Sequence, residues 1–485
     1  MKKTPFIFSL LVLTLWLSLG ACSQKSAPEF EASEALPAGK ASVGTAPYPS
    51  FMSPASNLPA DKRPAFHAGK ALAHQPWVKA PTITDARDGL GPIYNARTCL
   101  ACHVNGGRSI MPVDGSMELF GAFVRISLPG SDPIQGVVAE PTYGTQLQTQ
   151  SIALSHQVRQ PGLKEKNTEA PPEAYIHIDW QYQDFTYPDH TRISLRKPQL
   201  RLEHLGYGAL HPQTRFSLRN APPILGVGLL ELIPQAAIDA QADPQDKNGD
   251  GISGRVNQVW DFVTQQTVAG RFGLKANRAN NLEIVTAAAF AGDVGISNPL
   301  FPAQPCTQAQ PLCLQTTNGN DENGFELPAQ LLTLVTDFSR NLGVPKRNNA
   351  DAENLLQGRE LFYASGCQQC HTPRYVTSTS ARLPHLSQQT IWPYTDLLLH
   401  DMGPDLADNR TDYQASGSEW RTPPLWGAGL GKKVNGSDNL LHDGRARSVE
   451  EAILWHGGEA TASRQHFIEL PAAKRQLLLQ FVESL

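Results

Sequence analysis

The pattern Cys-x-x-Cys-His occurs twice, at Cys99-Leu-Ala-Cys102-His103 and at Cys367-Gln-Gln-Cys370-His371, and it constrains this chain more tightly than any other feature. Two thiols three positions apart can reach, from one helical turn, the two vinyl groups of one porphyrin. The adjoining imidazole then swings beneath the ring to bind iron, so the spacing marks c-type haem attachment. A lone Cys-x-x-Cys pair also serves thioredoxin-like redox sites and half-sites for zinc. The first needs a β-α-β frame and the second needs two pairs close in sequence. Here the pairs lie in separate halves, and each carries its own histidine. Two covalently bound c-type haems are therefore the expected cofactors, with His103 and His371 as proximal iron ligands.

Haem of this kind is attached outside the bacterial inner membrane, and the N-terminus agrees with that compartment. Lys2 and Lys3 precede an apolar run from Phe6 to Leu19, too short for a membrane span and built as a signal peptide over residues 1–21. Leu19-Gly20-Ala21-Cys22 resembles a lipobox, which predicts a lipid on Cys22. Ser23 at the next position favours the periplasmic face of the outer membrane. Four further cysteines belong to the two motifs, leaving Cys306 and Cys313. In an oxidising compartment these predict a short-loop disulfide, the alternative being two buried thiols. The net charge of −4 gives no electrostatic footprint for nucleic acid.

The chain divides on composition and periodicity. Residues 22–50 are rich in Ala, Ser, Pro, Glu and Lys and predict a flexible tether. Residues 51–342 form an N-terminal haem domain and 351–485 a C-terminal cytochrome c-like one, with 343–350 as linker. Alternation at Val124-Arg-Ile-Ser-Leu128, Tyr175-Ile-His-Ile-Asp-Trp-Gln-Tyr182 and Arg192 to Leu202 predicts strands, and so a β-rich insertion over about 120–215. Helices are expected at Phe66 to His74 and at Leu327 to Leu342. Two more are expected around Leu355, Gly358 and Phe362 and around Leu477, Leu478, Phe481, Val482 and Leu485, with Gly358 where these first and last helices cross. The expected fold class is mainly α, with two haem domains. Arg219-Asn-Ala-Pro-Pro-Ile-Leu-Gly-Val-Gly-Leu229 is echoed by Arg421-Thr-Pro-Pro-Leu-Trp-Gly-Ala-Gly-Leu430, each after its own motif, which reads as a duplication.

The sixth iron position decides between electron transfer and chemistry on an oxidant. Met111 lies only eight residues after His103 and is discounted. His156, His177, His190, His204 and His211 all fall in the insertion, and the first iron's distal position stays open. For the second iron the candidates are His400, Met402, His442 and His456. Asp246, Asn248, Asp250 and Ile252 carry oxygen at the alternating positions of an EF-hand-like loop and predict calcium. Asp243 is a possible addition, and Asn257 stands where a bidentate glutamate belongs. Glu231, flanked by apolar residues, is a candidate acid-base group.

Arg421-Thr-Pro-Pro-Leu, His442-Asp-Gly-Arg and Val449-Glu-Glu-Ala-Ile453 resemble the closing motifs of bacterial di-haem cytochrome c peroxidases and their MauG-type relatives. Pro393 to Gly403, Arg421 to Trp426, His442 to Arg447 and Ile453 to Ala460 are more specifically similar to the di-haem oxidoreductase family described as putative peroxidases. The likeness runs from about residue 60 to the end. In these peroxidases the distal ligand of the electron-transfer haem follows the His-Asp-Gly histidine by fourteen residues, which here lands on His456; Met402 is the runner-up. The resemblance also implies calcium near the haems. It implies peroxide reduction at the N-terminal haem, with electrons from a periplasmic or membrane donor relayed by the C-terminal one. A non-catalytic electron carrier and a MauG-like oxidase of a protein or thiol partner are the alternatives.

Overall fold

The structure, a computed structural model, describes residues 26–44, 50–83, 87–152, 170–316 and 318–485. The signal peptide, Cys22, Ser23 and His156 lie outside them.

Each half is closed by a pair of helices that touch backbone to backbone. Arg63–His74 begins with proline in its first turn, where a missing N–H costs nothing, and buries Phe66, Gly69 and Ala73 on one face. It packs on Ala329–Arg340, which buries Leu332, Val335 and Phe338. A Cβ on Gly69 would stand 2.0 Å from the Leu334 carbonyl oxygen. In the second half Glu353–Ala364 crosses Ala472–Glu483, and a Cβ on Gly358 would stand 2.1 Å from the Leu477 carbonyl oxygen. The echoed Pro-Pro segments repeat the device. Gly228 lies against the Arg340 carbonyl and Gly429 against that of Glu483, with Cβ distances of 2.1 and 2.2 Å. Four glycines at equivalent places are the physical content of the repeat.

The expectation of a mainly α chain is corrected, because the structure is 29% helical and 19% strand. The anticipated strands are present. Phe123–Ser127 pairs with Gln146–Leu147 and Arg215–Arg219, and Tyr175–Thr186 forms a long antiparallel hairpin with Arg192–Glu203. Further strands arise outside the insertion: Gln258–Asp261, Gln266–Phe272 and Arg278–Ala279 in one sheet, Leu399–Asp401 with Glu419–Arg421 in another. Glycine- and proline-rich chain between short helices satisfies its backbone by these local ladders instead.

The hairpin does not stay with its own half. Tyr187 and Leu195 are buried in the C-terminal core. Asp189 accepts from Arg475 at 2.6 Å, and Tyr187 donates to Glu450 at 2.9 Å. Arg196, stacked on Trp180 at 3.8 Å, donates to the carbonyls of Arg445 and Gly444. The tether expected at 22–50 is corrected over its described part, because 26–44 is packed chain. Ser42–Val43 pairs in parallel with Val344–Pro345, so the expected linker also takes part in a ladder. Glu34, fully buried, is held by Arg359. Cys306 and Cys313 are joined as a disulfide with Cα atoms 5.7 Å apart.

Gly358→Ala and Gly69→Ala should each lower unfolding free energy by roughly 1–3 kcal/mol through overpacking. Gly292→Ala, where a Cβ meets nothing within 4 Å, should not, as read by denaturant titration.

Candidate functional site

The two Cys-x-x-Cys-His motifs open onto one continuous cavity of about 530 Å³ with mainly apolar walls. Thr98 caps the turn Cys99–Cys102, its hydroxyl accepting from the N–H of Leu100 and Ala101 at 3.0 and 3.2 Å. Gly366, at φ 81°, supplies the left-handed step before Cys367. All four motif cysteines are free thiols. Burial pushes the Cys99 and Cys367 thiols up to about 12.

The histidines are set by backbone carbonyls. His103 donates through Nδ1 to Pro222 O at 2.7 Å, His371 to Tyr394 O at 3.0 Å and His456 to Ala452 O at 2.7 Å. A carbonyl only accepts, so these bonds require Nδ1–H and leave the lone pair on Nε2, the atom a metal takes. Burial lowers all three pKa values, that of His371 to about 4, where the nearby His456 adds to the shift. Neutral imidazoles, neutral thiols and apolar walls fit two haems, one on each motif.

The other cavity-lining candidates differ. His400 is 2% exposed, with Nδ1 on Glu459 at 2.6 Å and Nε2 on Asp396 at 2.7 Å. Burial opposes its charge, but the two carboxylates prevail and raise its pKa well above the ordinary value. Both of its ring nitrogens are thus engaged by carboxylates. His442 stacks flat on Trp420, rings 3.6 Å apart, and its backbone carbonyl accepts from Asn220. Met402 lines the cavity with His456.

The wall beside His103 is charged. Arg125, Arg219, Arg278, Asp293 and Asp412 line it. Asp293 follows the helix Leu282–Ala289 in a widened turn at 290–294, a form of bulge recurrent at functional sites. Its carboxylate accepts from Gln146 at 2.9 Å, and burial raises its pKa against the pull of Arg125. Nothing in Phe-Ala-Gly-Asp293-Val-Gly marks it in sequence; only the fold brings it to the first motif. Behind it, Asp412 binds Arg219 at 2.9 Å and Arg410 at 2.7 Å, while Lys275 reaches Asp408 at 2.9 Å. Arg219 and Lys275 both lie over the Trp420 ring.

Several sequence candidates fall elsewhere. Glu231 does not line the cavity. Its carboxylate pairs with Arg340 at 2.8 and 3.0 Å and accepts from Leu282 N, so its apolar flanks reflect a structural ion pair, and the acid-base reading is corrected. His177, His190, His204 and His211 are absent from the cavity lining, and Met111 is buried against Gly444 instead. The 246–252 loop is closed by its own bonds: Asp246 accepts from Gly251 N, Asn248 from Asp250 N and Asp250 from Ile252 N. Asp243 accepts from Asn248 N. Asn257 is fully buried and bonded to Lys275 and Asp412 carbonyls, away from the loop.

Residues 39–485 match the family described as di-haem oxidoreductase, putative peroxidase. No curated relative and no solved structure matches the chain.

Two outcomes follow from these contacts. Glu231→Gln should cost roughly 1–3 kcal/mol of stability by removing the stronger of the two carboxylates that pair with Arg340, the other being Asp337 at 3.3 Å, with the visible spectrum unchanged. For Asp412, burial would raise the pKa, but Arg410, Arg219 and Lys275 hold it far below the usual range. A depressed folded-state pKa gives stability that is present above the unfolded value, about 4, and is lost as pH falls below it. Acid unfolding monitored by circular dichroism should therefore be shallower in Asp412→Asn, which starts from lower stability at neutral pH.

Proposed function

Because the chain belongs to the di-haem oxidoreductase family, we propose that it is an exported c-type cytochrome that reduces hydrogen peroxide on the His103 side, fed with electrons from the His371 side. Haem covalently held at Cys99/Cys102 and Cys367/Cys370 supplies the redox chemistry, in which peroxide takes up two electrons and two protons and leaves as two waters.

The observation that carries this reading is an asymmetry of donors. Of the histidines lining the cavity, His400 is engaged by two carboxylates and His442 is stacked on Trp420. His456 remains, with Nδ1 on the Ala452 carbonyl and its lone pair on Nε2. Two nitrogen ligands there favour electron transfer at low potential. The His103 side presents Arg125, Arg278 and Asp293 instead. Asp293, with its raised pKa, is suited to move a proton between the peroxide oxygens, and the two guanidinium groups to stabilise negative charge as the O–O bond breaks.

Export by the 1–21 signal peptide and a lipid on Cys22 would place the protein on the periplasmic face of the outer membrane. Cys22 is four steps from Ser26, a reach of at most ~14 Å, and Ala27 lies on Glu360 of the C-terminal half. The electron-entry side is thereby held near the membrane, within reach of a periplasmic or membrane donor. Calcium belongs to the 246–252 loop, where Gln369, inside the second motif, touches Asp250 at 3.2 Å.

An EPR and optical titration with peroxide tests the proposal: one haem should be high-spin and react, and two low-spin haems indifferent to peroxide would refute it. A methionine-to-iron near-infrared band would overturn His456. Asp293→Asn should lower peroxide turnover about 10²-fold with both haems still attached by mass spectrometry.

A further inference from the structure

We infer that Glu34 is a positioning residue for the iron ligand His371, acting at a distance through Tyr394; the inference rests on the proposed haem at the second motif. His371 is oriented by one bond, from Nδ1 to the Tyr394 carbonyl at 3.0 Å. That carbonyl belongs to a residue with φ 53°, in the left-handed region that bulky side chains seldom occupy. Such a backbone persists only where its surroundings over-determine it.

Here the surroundings are identifiable. The Tyr394 ring is fully buried between Phe362 and Phe481, with centroids 5.8 and 6.0 Å away. Its hydroxyl donates to Glu34 Oε2 at 3.1 Å. Glu34 has no exposure and is itself fixed by Arg359, at 2.7 and 3.1 Å, and by Arg347 at 3.6 Å. The chain around Glu34 also grips the residues just before Tyr394. Trp392 donates through its backbone N–H to Pro37 O at 2.8 Å and through its indole to Ser33 at 3.2 Å.

The first half shows why a brace is needed only here. The acceptor for His103 is Pro222, whose ring fixes φ without help, within the Pro-Pro segment. In the second half the acceptor has moved to Tyr394, a residue with no such restraint, and a segment more than 300 residues away in sequence supplies it.

A strong Nδ1–H bond makes an iron-bound imidazole more basic and lowers the metal's potential. In the full-length protein, Tyr394→Phe keeps the ring packing and removes only the hydroxyl, while Glu34→Gln removes the charge. Each should raise the midpoint potential of the haem on His371 and leave that on His103 unmoved, in potentiometric titrations followed optically and by EPR. The double variant should shift no further than the larger single one, because both act along one chain of contacts. An unchanged potential and unchanged g-values for the His371 haem in folded Tyr394→Phe would overturn the inference. So would equal displacement of both haems, which signals general loosening. Absence of haem at Cys367 and Cys370 by mass spectrometry would instead remove the underlying reading along with it.

Discussion

The hydrogen bond from a half-buried imidazole Nδ1 to a backbone carbonyl is the interaction on which the rest of the structure depends. It is made three times, at His103, His371 and His456, and each time it fixes a neutral ring in one tautomer. A carbonyl can play this part only if its own backbone is immobile. Much of the architecture supplies that immobility: a proline pair in the first half, a helix end at Ala452, and a strained loop braced by distant side chains at Tyr394. Loss of water around the imidazoles disfavours their charge, and the cavity walls that exclude it come from both halves of the chain.

Charge enters the cavity wall beside His103 and is otherwise gathered into groups whose members pair with one another. Asp412, Arg219, Arg410, Lys275 and Asp408 pair with one another at and behind the His103 wall, and Asp396, His400 and Glu459 do so beside Cys370. Neither group contains an unpaired buried charge, which would cost several kcal/mol. The consequence is local: two cations over Trp420 make that indole harder to oxidise, while the facing His442 adds no charge of its own, since burial lowers its pKa to about 4.

Sequence showed the parts whose signal is local. The two motifs, the helix stripes ending at Leu342 and Leu485, the alternating strands from Val124, Tyr175 and Arg192, and the Pro-Pro echo all carry their periodicity or spacing with them. What it missed depends on long-range assembly. Asp293 sits in an unremarkable turn and gains its environment from Arg125, some 170 residues earlier. Glu231 looked like a buried acid because its partner, Arg340, lies in another helix. Residues 26–44 read as a tether because their anchoring is polar and sparse, a few specific bonds with little apolar bulk. Short ladders such as Leu399–Asp401 with Glu419–Arg421 are too brief to leave a period.

The hairpin from Tyr175 to Glu203 changes what the duplication means. Tyr187 and Leu195, from the first half, complete the core of the second, and Trp426, from the second, is buried in the core of the first. Cutting the chain at 343–350 would leave each fragment with a hole in its centre and a greasy side chain in water. The two halves therefore form one cooperative unit and can neither drift apart nor be exchanged for another module. The spacing between the two motifs is therefore a fixed property of the folded state and does not depend on how a linker happens to sample.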